Sequence, residues 1–273
     1  MAERILLIDA SSLIYPAFHV MGELKTSTGL PTGAIYGYAR TVLMLLREYP
    51  SQYVAVAFDS RGPTHRHEKF AQYKAHRPAM DEALAAQIPK IKELTDALRL
   101  KRFEAPGYEA DDIIAALVSQ AQGLDVLIVS GDKDLLQLVG DGVRVLKPGR
   151  DVTRDLKILD AEGVREYLGV PPEQVLDFLA LVGDSSDNVP GVPGIGEKTA
   201  QKLLSEFGSL DALLENLDKI EPKRLGERLK NFRDQAVLSR ELVKLTPPPL
   251  EISLEECRAQ PPDIERLRAL LEE

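Results

Sequence analysis

The alternation of apolar and polar positions divides the first half of the chain into strands and helices. Short apolar runs bounded by turn residues predict buried strands over 4–9, 53–58, 100–104, 125–130 and 143–146. Apolar residues spaced three or four apart predict helices over 33–48, 83–98, 109–122 and 133–139. Strands that alternate with helices in this way are typical of an α/β fold with a doubly wound parallel sheet.

Beyond about residue 160 the pattern becomes mostly helical. Helices are predicted over 172–182 and 197–206, with a glycine-rich turn between them and a second helical group over 209–243. We therefore expect three segments. They are an α/β core over 1–160 that includes a basic segment at about 61–90, a helical subdomain over 161–250, and a tail or linker over 251–273.

Composition narrows the class of protein. With 273 residues and 44% hydrophobic positions, the chain can bury a sizeable core. No apolar run approaches the ~18 residues that a membrane helix needs. The single cysteine, Cys257, excludes an internal disulfide, and no Cys/His spacing suggests zinc. Because the N-terminus also lacks a signal-peptide pattern, we expect a cytoplasmic protein without a membrane partner.

The net charge of −9 is concentrated in a few places. Nine of the 43 acids lie in five short clusters, and the remaining 34 equal the number of Lys plus Arg. The clustered acids are Asp9, Asp59, Glu109, Asp111, Asp112, Asp132, Asp134, Asp184 and Asp187. The acidic total is therefore compatible with a polyanionic partner, since the placement of charge matters more than its sum.

Four of the five acid clusters follow strand-like runs. The carboxyl ends of parallel strands open onto one crevice, so we expect these acids to meet there. Two like charges ~4 Å apart repel by about 4 kcal/mol at an effective dielectric of ~20, which favours bound cations. Oxygen ligands suit Mg²⁺ and Mn²⁺, and two such ions support phosphoryl chemistry. Taken singly, each acid could instead cap a helix or a turn.

A basic segment follows the second predicted strand. Residues 61–77 read RGPTHRHEKFAQYKAHR, with five Lys or Arg against one acid and three of the four histidines of the chain. Basic side chains bind phosphate, and the interleaved Phe70 and Tyr73 could stack on splayed bases. The alternative interpretation is a solvated surface helix.

A glycine-rich turn joins two predicted helices. In VPGVPGIGEKTA, glycines permit close backbone approach, and N–H groups at the start of the next helix can hold a phosphate. The candidate DNA-binding residues are Gly191, Gly194, Gly196, Lys198 and Thr199. A tight turn between packed helices is the alternative. A basic run could extend this surface or be a solvated helix face; it comprises Lys219, Lys223, Arg224, Arg228, Lys230 and Arg233.

Several stretches together resemble the 5′-nuclease (flap endonuclease) family, and within it the N-terminal nuclease domain of bacterial DNA polymerase I. They are FDSRGPTHRHEKFAQYKAHRP, GYEADDIIA, SGDKDLLQLV and LALVGDSSDNVPGVPGIGEKTAQKLL. The resemblance covers essentially the whole chain. It implies an α/β nuclease core, a helical arch over the active site, and a helix–hairpin–helix subdomain that grips DNA.

The resemblance also implies roles for individual residues. All nine clustered acids match the metal-binding acids of the family, which implies two or more Mg²⁺ ions, with Mn²⁺ as a substitute. Lys74 matches an arch lysine that contacts the scissile phosphate. Arg66, Tyr73 and Arg77 match arch residues associated with substrate handling. The hairpin at 191–199 is similar to an element that can hold K⁺ in relatives.

The implied activity is 5′→3′ exonuclease and flap endonuclease cleavage in replication and repair. The implied partner is DNA with a 5′ flap, a 5′ overhang or a nick. We further expect a monomer from a bacterial cytoplasm that works with, or is fused to, a DNA polymerase.

Three other interpretations compete with this one. A PIN-like ribonuclease also clusters acids on an α/β sheet, but it lacks the helix–hairpin–helix half. A haloacid-dehalogenase-type phosphatase would place a second Asp at position 11, where this chain has Ser11. A non-catalytic DNA-structure-binding relative would keep the hairpin, and this alternative stays open because the first motif departs from the family pattern.

The departure lies in DASSLIYPAFHV, where Ala10 replaces a family glycine and Pro16 replaces an arginine. The arginine is expected to position DNA near the metals, unless Lys25 or Arg40 takes its place. Restoring it with Pro16→Arg should therefore raise kcat/KM on flap DNA. An unchanged kcat/KM would show that the proline has no such effect.

Overall fold

The fold is built on one mixed sheet. A computed structural model describes residues 3–149, 156–250 and 253–272. Its six strands are β1 (Arg4–Asp9), β2 (Tyr53–Ala57), β3 (Lys101–Phe103), β4 (Asp125–Val129), β5 (Val143–Pro148) and β6 (Leu156–Leu159). They lie in the order β3-β2-β1-β4-β5-β6. The first five are mutually parallel, whereas β6 pairs antiparallel with β5.

The helices in the first two thirds of the chain include those that cover the sheet. They are α1 (Ala10–Met21), α2 (Gly33–Glu48), α3 (His65–Lys69), α4 (Glu82–Ala97), α5 (Ala110–Gln120), α6 (Ala161–Leu168) and α7 (Val175–Val182). The later helices are α8 (Glu197–Phe207), α9 (Leu210–Glu215), α10 (Lys223–Asn231), α11 (Arg233–Val243) and α12 (Ile264–Glu272). Single 3₁₀ turns lie at Asp134–Leu138, Pro172–Gln174, Leu217–Lys219 and Leu254–Cys257.

Strand β1 is the centre of the core. Its side chains alternate between the two faces of the sheet, with Ile5 and Leu7 in one apolar cluster and Leu6 and Ile8 in the other. Helices α1, α2 and α4 cover the second cluster, and α5 and α7 belong to the first. Burial of both faces explains why the strand reads as a continuous apolar run, and it confirms the predicted α/β core.

The structure departs from the predicted elements in several places. The helix predicted over 133–139 is a 3₁₀ helix over Asp134–Leu138. Helix α1 was not predicted, because Pro16 in its interior and the two serines near its start hide the apolar spacing. Strand β6 and helix α6 were also missed. The all-parallel sheet is corrected at β6, since the seven residues that separate it from β5 cannot form a parallel crossover, which needs about a dozen.

The strand order reverses between β1 and β4. In a doubly wound sheet, the crevice at the carboxyl ends on either side of this point is where ligands bind. Asp9 is the last residue of β1, and Asp132 lies three residues after the end of β4. The topology therefore brings the first and fourth acid clusters to one crevice.

The C-terminal segment packs on the core. Arg258 forms an isolated bridge with Tyr53, and the N–H of Asp263 donates to the carbonyl of Ala97 at 2.8 Å. Leu267 packs against the cluster beneath α4. Among the described helices, none combines the length and apolar character needed to cross a bilayer.

Candidate active site

Asp9 is held in place by hydroxyl and backbone donors. It caps α1, with Oδ1 accepting from the N–H of Ser11 at 3.0 Å. Its Oδ2 accepts from Ser12 Oγ at 2.6 Å and Ser130 Oγ at 2.7 Å. Burial, followed by the charge of Asp59, raises the pKa of Asp9 to about 6. Sequence reasoning missed both hydroxyl groups. The signal that could have found them is a serine close to an acid, in DASS and in SGD.

Five of the nine predicted acids line one cavity of about 370 Å³. They are Asp9, Asp59, Glu109, Asp111 and Asp132. Lys74, Arg77 and Pro16 contribute to the same lining. Asp59 is fixed there by Ser11 Oγ at 2.5 Å and by the N–H of Ala110 at 2.9 Å. Neither Lys25 nor Arg40 lines this cavity, although both were considered as substitutes for the family arginine.

The other four acids are not part of the lining of this cavity. Asp134 is buried in the 3₁₀ turn after Asp132, whose Oδ1 accepts from the N–H of Asp134 at 2.9 Å. Asp184 accepts from Ser186 Oγ at 2.6 Å, and Asp187 lies against the basic segment. Asp112 is fully buried at the start of α5. The structure therefore gathers all nine acids, but at different depths.

Burial and mutual repulsion work against ionisation of the inner acids. Burial, more than any other cause, raises the pKa of Asp111, Asp132 and Asp134. Neighbouring carboxylates add to each shift, including that of Asp132 on Asp134. Such a cluster is costly as a set of bare anions, so cations next to it stabilise the ionised form.

The donor set suits a divalent cation of the hard, oxygen-binding kind. As their side chains stand, no three His, Cys, Asp or Glu of the described residues are arranged to hold an ion. Protein hydroxyl, N–H and ammonium groups instead engage carboxylate oxygens, as Lys74 Nζ does with Glu109 Oε1 at 2.5 Å. The carboxylate chemistry nevertheless fits a divalent cation at this cavity.

The segment expected as a helical arch packs onto the acids. It begins with the five-residue helix α3, continues as turns over 71–76 and an irregular stretch to 81, and leads into α4. Tyr73 is buried, and its hydroxyl lies 2.9 Å from both Glu109 Oε2 and Asp187 Oδ2. Arg77 pairs with Asp187 and donates to the carbonyl of Ser186 at 3.2 Å. Tyr73 and Arg77 thus face the predicted acids, whereas Lys69 pairs with Glu241 at 2.8 Å.

Lys74 occupies a strained position in this contact. Its φ of 55° lies in the left-handed region, which is uncommon for a residue with a side chain. Its N–H donates to the carbonyl of Asp187 at 2.9 Å, and Nζ lies 3.4 Å from Asp187 Oδ2. Burial raises the pKa of Asp187, but Lys74 and Arg77 outweigh it and leave that pKa below its ordinary value.

Arg66 lies deeper than the other cations of the segment. Its side chain is fully buried and contacts Glu109 at 3.1 Å and Asp112 at 2.6 Å. Burial lowers the pKa of Arg66, but Asp111, Asp112 and Glu109 raise it further, so the guanidinium stays charged. Sequence reasoning placed this residue at the site in one group with Tyr73 and Arg77, as a residue associated with substrate handling.

The glycine-rich hairpin has a buried and an exposed half. Gly191 is buried, its N–H donates to Ser239 Oγ at 3.0 Å, and its carbonyl accepts from Gln235 Nε2 at 2.8 Å. The tip is exposed at Gly194, Gly196 and Lys198, while Thr199 is half-buried in the first turn of α8. Arg228 donates to the carbonyl of Pro193 at 3.1 Å, which brings one cation of the basic run to the tip.

Two family models together match nearly the whole chain. A 5′-3′ exonuclease N-terminal resolvase-like domain matches residues 4–169, and a 5′-3′ exonuclease C-terminal SAM fold matches residues 170–265. The chain belongs to the 5′-3′ exonuclease family. The resemblance found in the motifs is thereby confirmed.

The curated relatives of this chain are longer proteins. The thermostable DNA polymerase I of Thermus thermophilus is 46% identical over 272 residues, which is 98% of this chain. The DNA polymerase I of Bacillus subtilis is 42% identical over 255 residues, or 92% of this chain. The chain spans about one third of the length of these curated relatives, 32% and 29% respectively.

Solved structures share the fold of this exonuclease chain. The T5 5′-exonuclease with bound divalent zinc ions superposes with a TM-score of 0.72 at 24% identity, covering 99% of each chain. The catalytic core of Rad2 in complex with a DNA substrate gives a TM-score of 0.65 at 19% identity, covering 99% of this chain and 87% of that one. The α/β core with a helical C-terminal half is therefore a shared architecture.

Replacement of Asp9 tests the electrostatics of the cavity. Because the folded-state pKa is raised to about 6 from 3.8, ionisation of Asp9 opposes folding at neutral pH. In EDTA at about pH 8, Asp9→Asn should therefore stabilise the protein by up to about 3 kcal/mol in urea unfolding. The gain should shrink as pH falls through about 6 and vanish below about 4. A gain independent of pH would contradict this explanation.

Two hairpin glycines form a matched pair for stability. A Cβ at Gly191, whose φ is +59°, would lie 2.5 Å from backbone atoms of Gly183 and Val182, whereas a Cβ at Gly196 meets nothing within 4 Å. Gly191→Ala should cost more than about 1 kcal/mol of unfolding free energy because of strain and overlap. Gly196→Ala should stay within about 0.5 kcal/mol of the wild type. Equal effects in thermal or urea unfolding would overturn the assignment of Gly191 to packing.

Proposed function

We propose that this chain is a structure-specific 5′ nuclease that hydrolyses DNA phosphodiester bonds, as a 5′→3′ exonuclease and a flap endonuclease. The observation that carries the proposal is the cavity in which five carboxylates and two cations meet at the strand-order reversal. Membership of the exonuclease family supports the reaction type. The substrates would be DNA with a 5′ flap, a 5′ overhang or a nick, and the products would carry 5′-phosphate and 3′-hydroxyl ends.

The cofactor would be two or more Mg²⁺ ions, with Mn²⁺ as a substitute. The cavity-lining acids Asp9, Asp59, Glu109, Asp111 and Asp132 would hold them, with Asp134, Asp184 and Asp187 acting from the surrounding shell. Bound divalent ions supply an activated water and stabilise the leaving oxygen in phosphodiester hydrolysis. The divalent ions bound to the T5 5′-exonuclease support a divalent site in this fold.

Lys74 is our candidate for stabilising negative charge that develops on the scissile phosphate. Its ammonium lines the cavity, where a fixed cation is worth more than in water. The left-handed backbone at Lys74 persists because hydrogen bonds to Asp187 hold it there. Tyr73 would fix the relative positions of the Glu109 and Asp187 carboxylates through its hydroxyl. Arg77, which is half exposed, would reach the substrate backbone.

A larger cleft next to the cavity would receive the 5′ strand. It measures about 770 Å³ and shares Tyr15 and Arg77 with the acid cavity. Phe18, His19 and His76 also line it. Aromatic faces beside a cation suit a single strand of nucleic acid, because bases stack without regard to their identity.

The exposed half of the hairpin would hold the duplex backbone. Gly194, which lies beside Arg228, and Gly196, which has open space at its Cβ position, would let DNA approach closely. Lys198 and Thr199 would offer an ammonium and a hydroxyl group from the first turn of α8. Gly191 would contribute by fixing the hairpin shape. A K⁺ ion at the hairpin remains a prediction. Such contacts position DNA without reading its sequence.

The setting of the reaction is inferred from the relatives. Because they are DNA polymerase I chains of about three times this length, we infer a role beside a DNA polymerase in primer or flap removal. A cytoplasmic monomer and a division near residue 160 stay predictions. The C-terminal SAM-fold match favours this nuclease over a PIN-like ribonuclease.

Cleavage of labelled flap DNA tests the proposal. The wild type should cut a 5′-flap substrate near the junction with Mg²⁺ and not with EDTA. Asp132→Asn, which keeps the size of a cavity-lining acid, should lower the rate by more than about 100-fold. Lys157→Ala, an exposed surface lysine in β6, is the control and should cut normally.

Flap binding without cleavage, even in Mn²⁺, would contradict the proposal. It would assign the chain to the non-catalytic DNA-structure-binding relatives instead. Pro16, which lines the cavity in place of the family arginine, would then be the first residue to test.

A further inference from the structure

Every N–H group of the buried Arg66 side chain is used within the protein. A guanidinium has five N–H donors. Nε donates to the carbonyl of Leu242 at 2.7 Å, and Nη1 donates to Glu109 at 3.1 Å and to Asp112 at 2.6 Å. Nη2 donates to Asp112 at 2.9 Å and to the carbonyl of Lys244 at 3.1 Å. These five bonds leave Arg66 without a donor for a phosphate.

The carboxylate of Asp112 is saturated in the same way. Its two oxygens offer about four lone-pair positions. Oδ1 accepts from Arg66 and from the N–H of Thr246 at 2.8 Å. Oδ2 accepts from Arg66 and from the N–H of Glu109 at 3.2 Å. With its side chain fully buried, Asp112 has neither the lone pairs nor the access to ligate an ion.

The pair joins two parts of the molecule. Asp112 and Glu109 lie at the start of α5, beside the cavity. Leu242 and Lys244 lie at the end of α11, and Gln137 Nε2 adds a further bond there to the carbonyl of Val243 at 2.8 Å.

Helix α11 also reaches the DNA-gripping hairpin. It holds Gly191 of the hairpin through Gln235 and Ser239. One helix therefore contacts the hairpin through its middle and the Arg66–Asp112 pair through its C-terminal end.

We propose that Arg66 and Asp112 are a positioning pair that fixes α11, and through it the hairpin, relative to the acids of α5. On this assignment Arg66 contacts no phosphate and Asp112 ligates no metal. The proposal rests on the proposed nuclease function. It adds an explanation of how the hairpin and the acid cavity, which would both contact the DNA, are held at a constant separation. It predicts that the pair affects turnover rather than the number of phosphates bound.

The salt dependence of flap-DNA binding distinguishes an arginine that contacts a phosphate from one that only positions other residues. Each phosphate contact contributes about 0.9 to the slope of log K against log salt on duplex DNA. In EDTA, Arg77→Met should lower that slope by about one, because Arg77 is half exposed at the cavity. Arg66→Met should leave the slope unchanged, as should the control Arg144→Met, which removes an ion pair at the far end of β4. A slope lowered in Arg66→Met as in Arg77→Met would overturn the proposal.

Gln137→Ala tests the proposal while leaving Arg66 and Asp112 in place. The test therefore still decides if the Arg66 variants do not fold. It removes another bond to the end of α11 and should lower single-turnover cleavage at saturating DNA by about 3- to 10-fold, with KM little changed. Hydrogen exchange at the amide of Thr246 should be faster in Arg66→Lys than in the wild type. Normal turnover in Gln137→Ala would contradict the proposal, as would unchanged exchange in Arg66→Lys. If the wild type binds flap DNA but never cuts it, the nuclease function fails while the salt and exchange measurements still decide the role of the pair.

Discussion

The repulsion between carboxylates gathered at the carboxyl ends of the strands is the constraint on which the rest of this structure depends. The topology brings acids from several parts of the chain to one crevice, where burial and like charge raise the pKa values of Asp9, Asp111 and Asp132. Cations are needed beside them, since unpaired buried anions are costly. The protein supplies its own at two depths: Arg66 beneath the cavity, and Lys74 and Arg77 along its wall.

The buried arginine and the two cations of the cavity wall have different roles. All the N–H donors of Arg66 are bonded to acceptors within the protein, so Arg66 belongs to the framework that joins α3, α5 and α11. Lys74 and Arg77 remain at the cavity, where their contacts with Glu109 and Asp187 are the kind that metal and substrate can replace. The basic segment therefore compensates the charge of the acids and keeps two cations at the cavity wall, where the proposed reaction places the phosphate. A hydrophobic side chain could fill the volume of Arg66, but it would leave the buried carboxylate of Asp112 without its positive partner.

Much of this arrangement was predictable, because it follows from local pattern. Buried strands read as apolar runs, and the parallel-sheet rule then places Asp9 and Asp132 together. Helix α1 was hidden by Pro16, and β6 was hidden by its shortness and its antiparallel pairing. The roles of Arg66 and Asp112 could not be predicted, because their partners at 242–246 lie more than 100 positions away and no local spacing encodes them.

A crystal structure with Mn²⁺, located by its anomalous scattering, tests this account most directly. We predict ions among Asp9, Asp59, Glu109, Asp111 and Asp132, with Lys74 Nζ moved off Glu109. The Arg66–Asp112 hydrogen bonds should keep their lengths of 2.6 and 2.9 Å. Mn²⁺ bound to Asp112 with Arg66 displaced would contradict the separation of framework and cavity cations, and the absence of Mn²⁺ from the cavity would contradict the metal site itself.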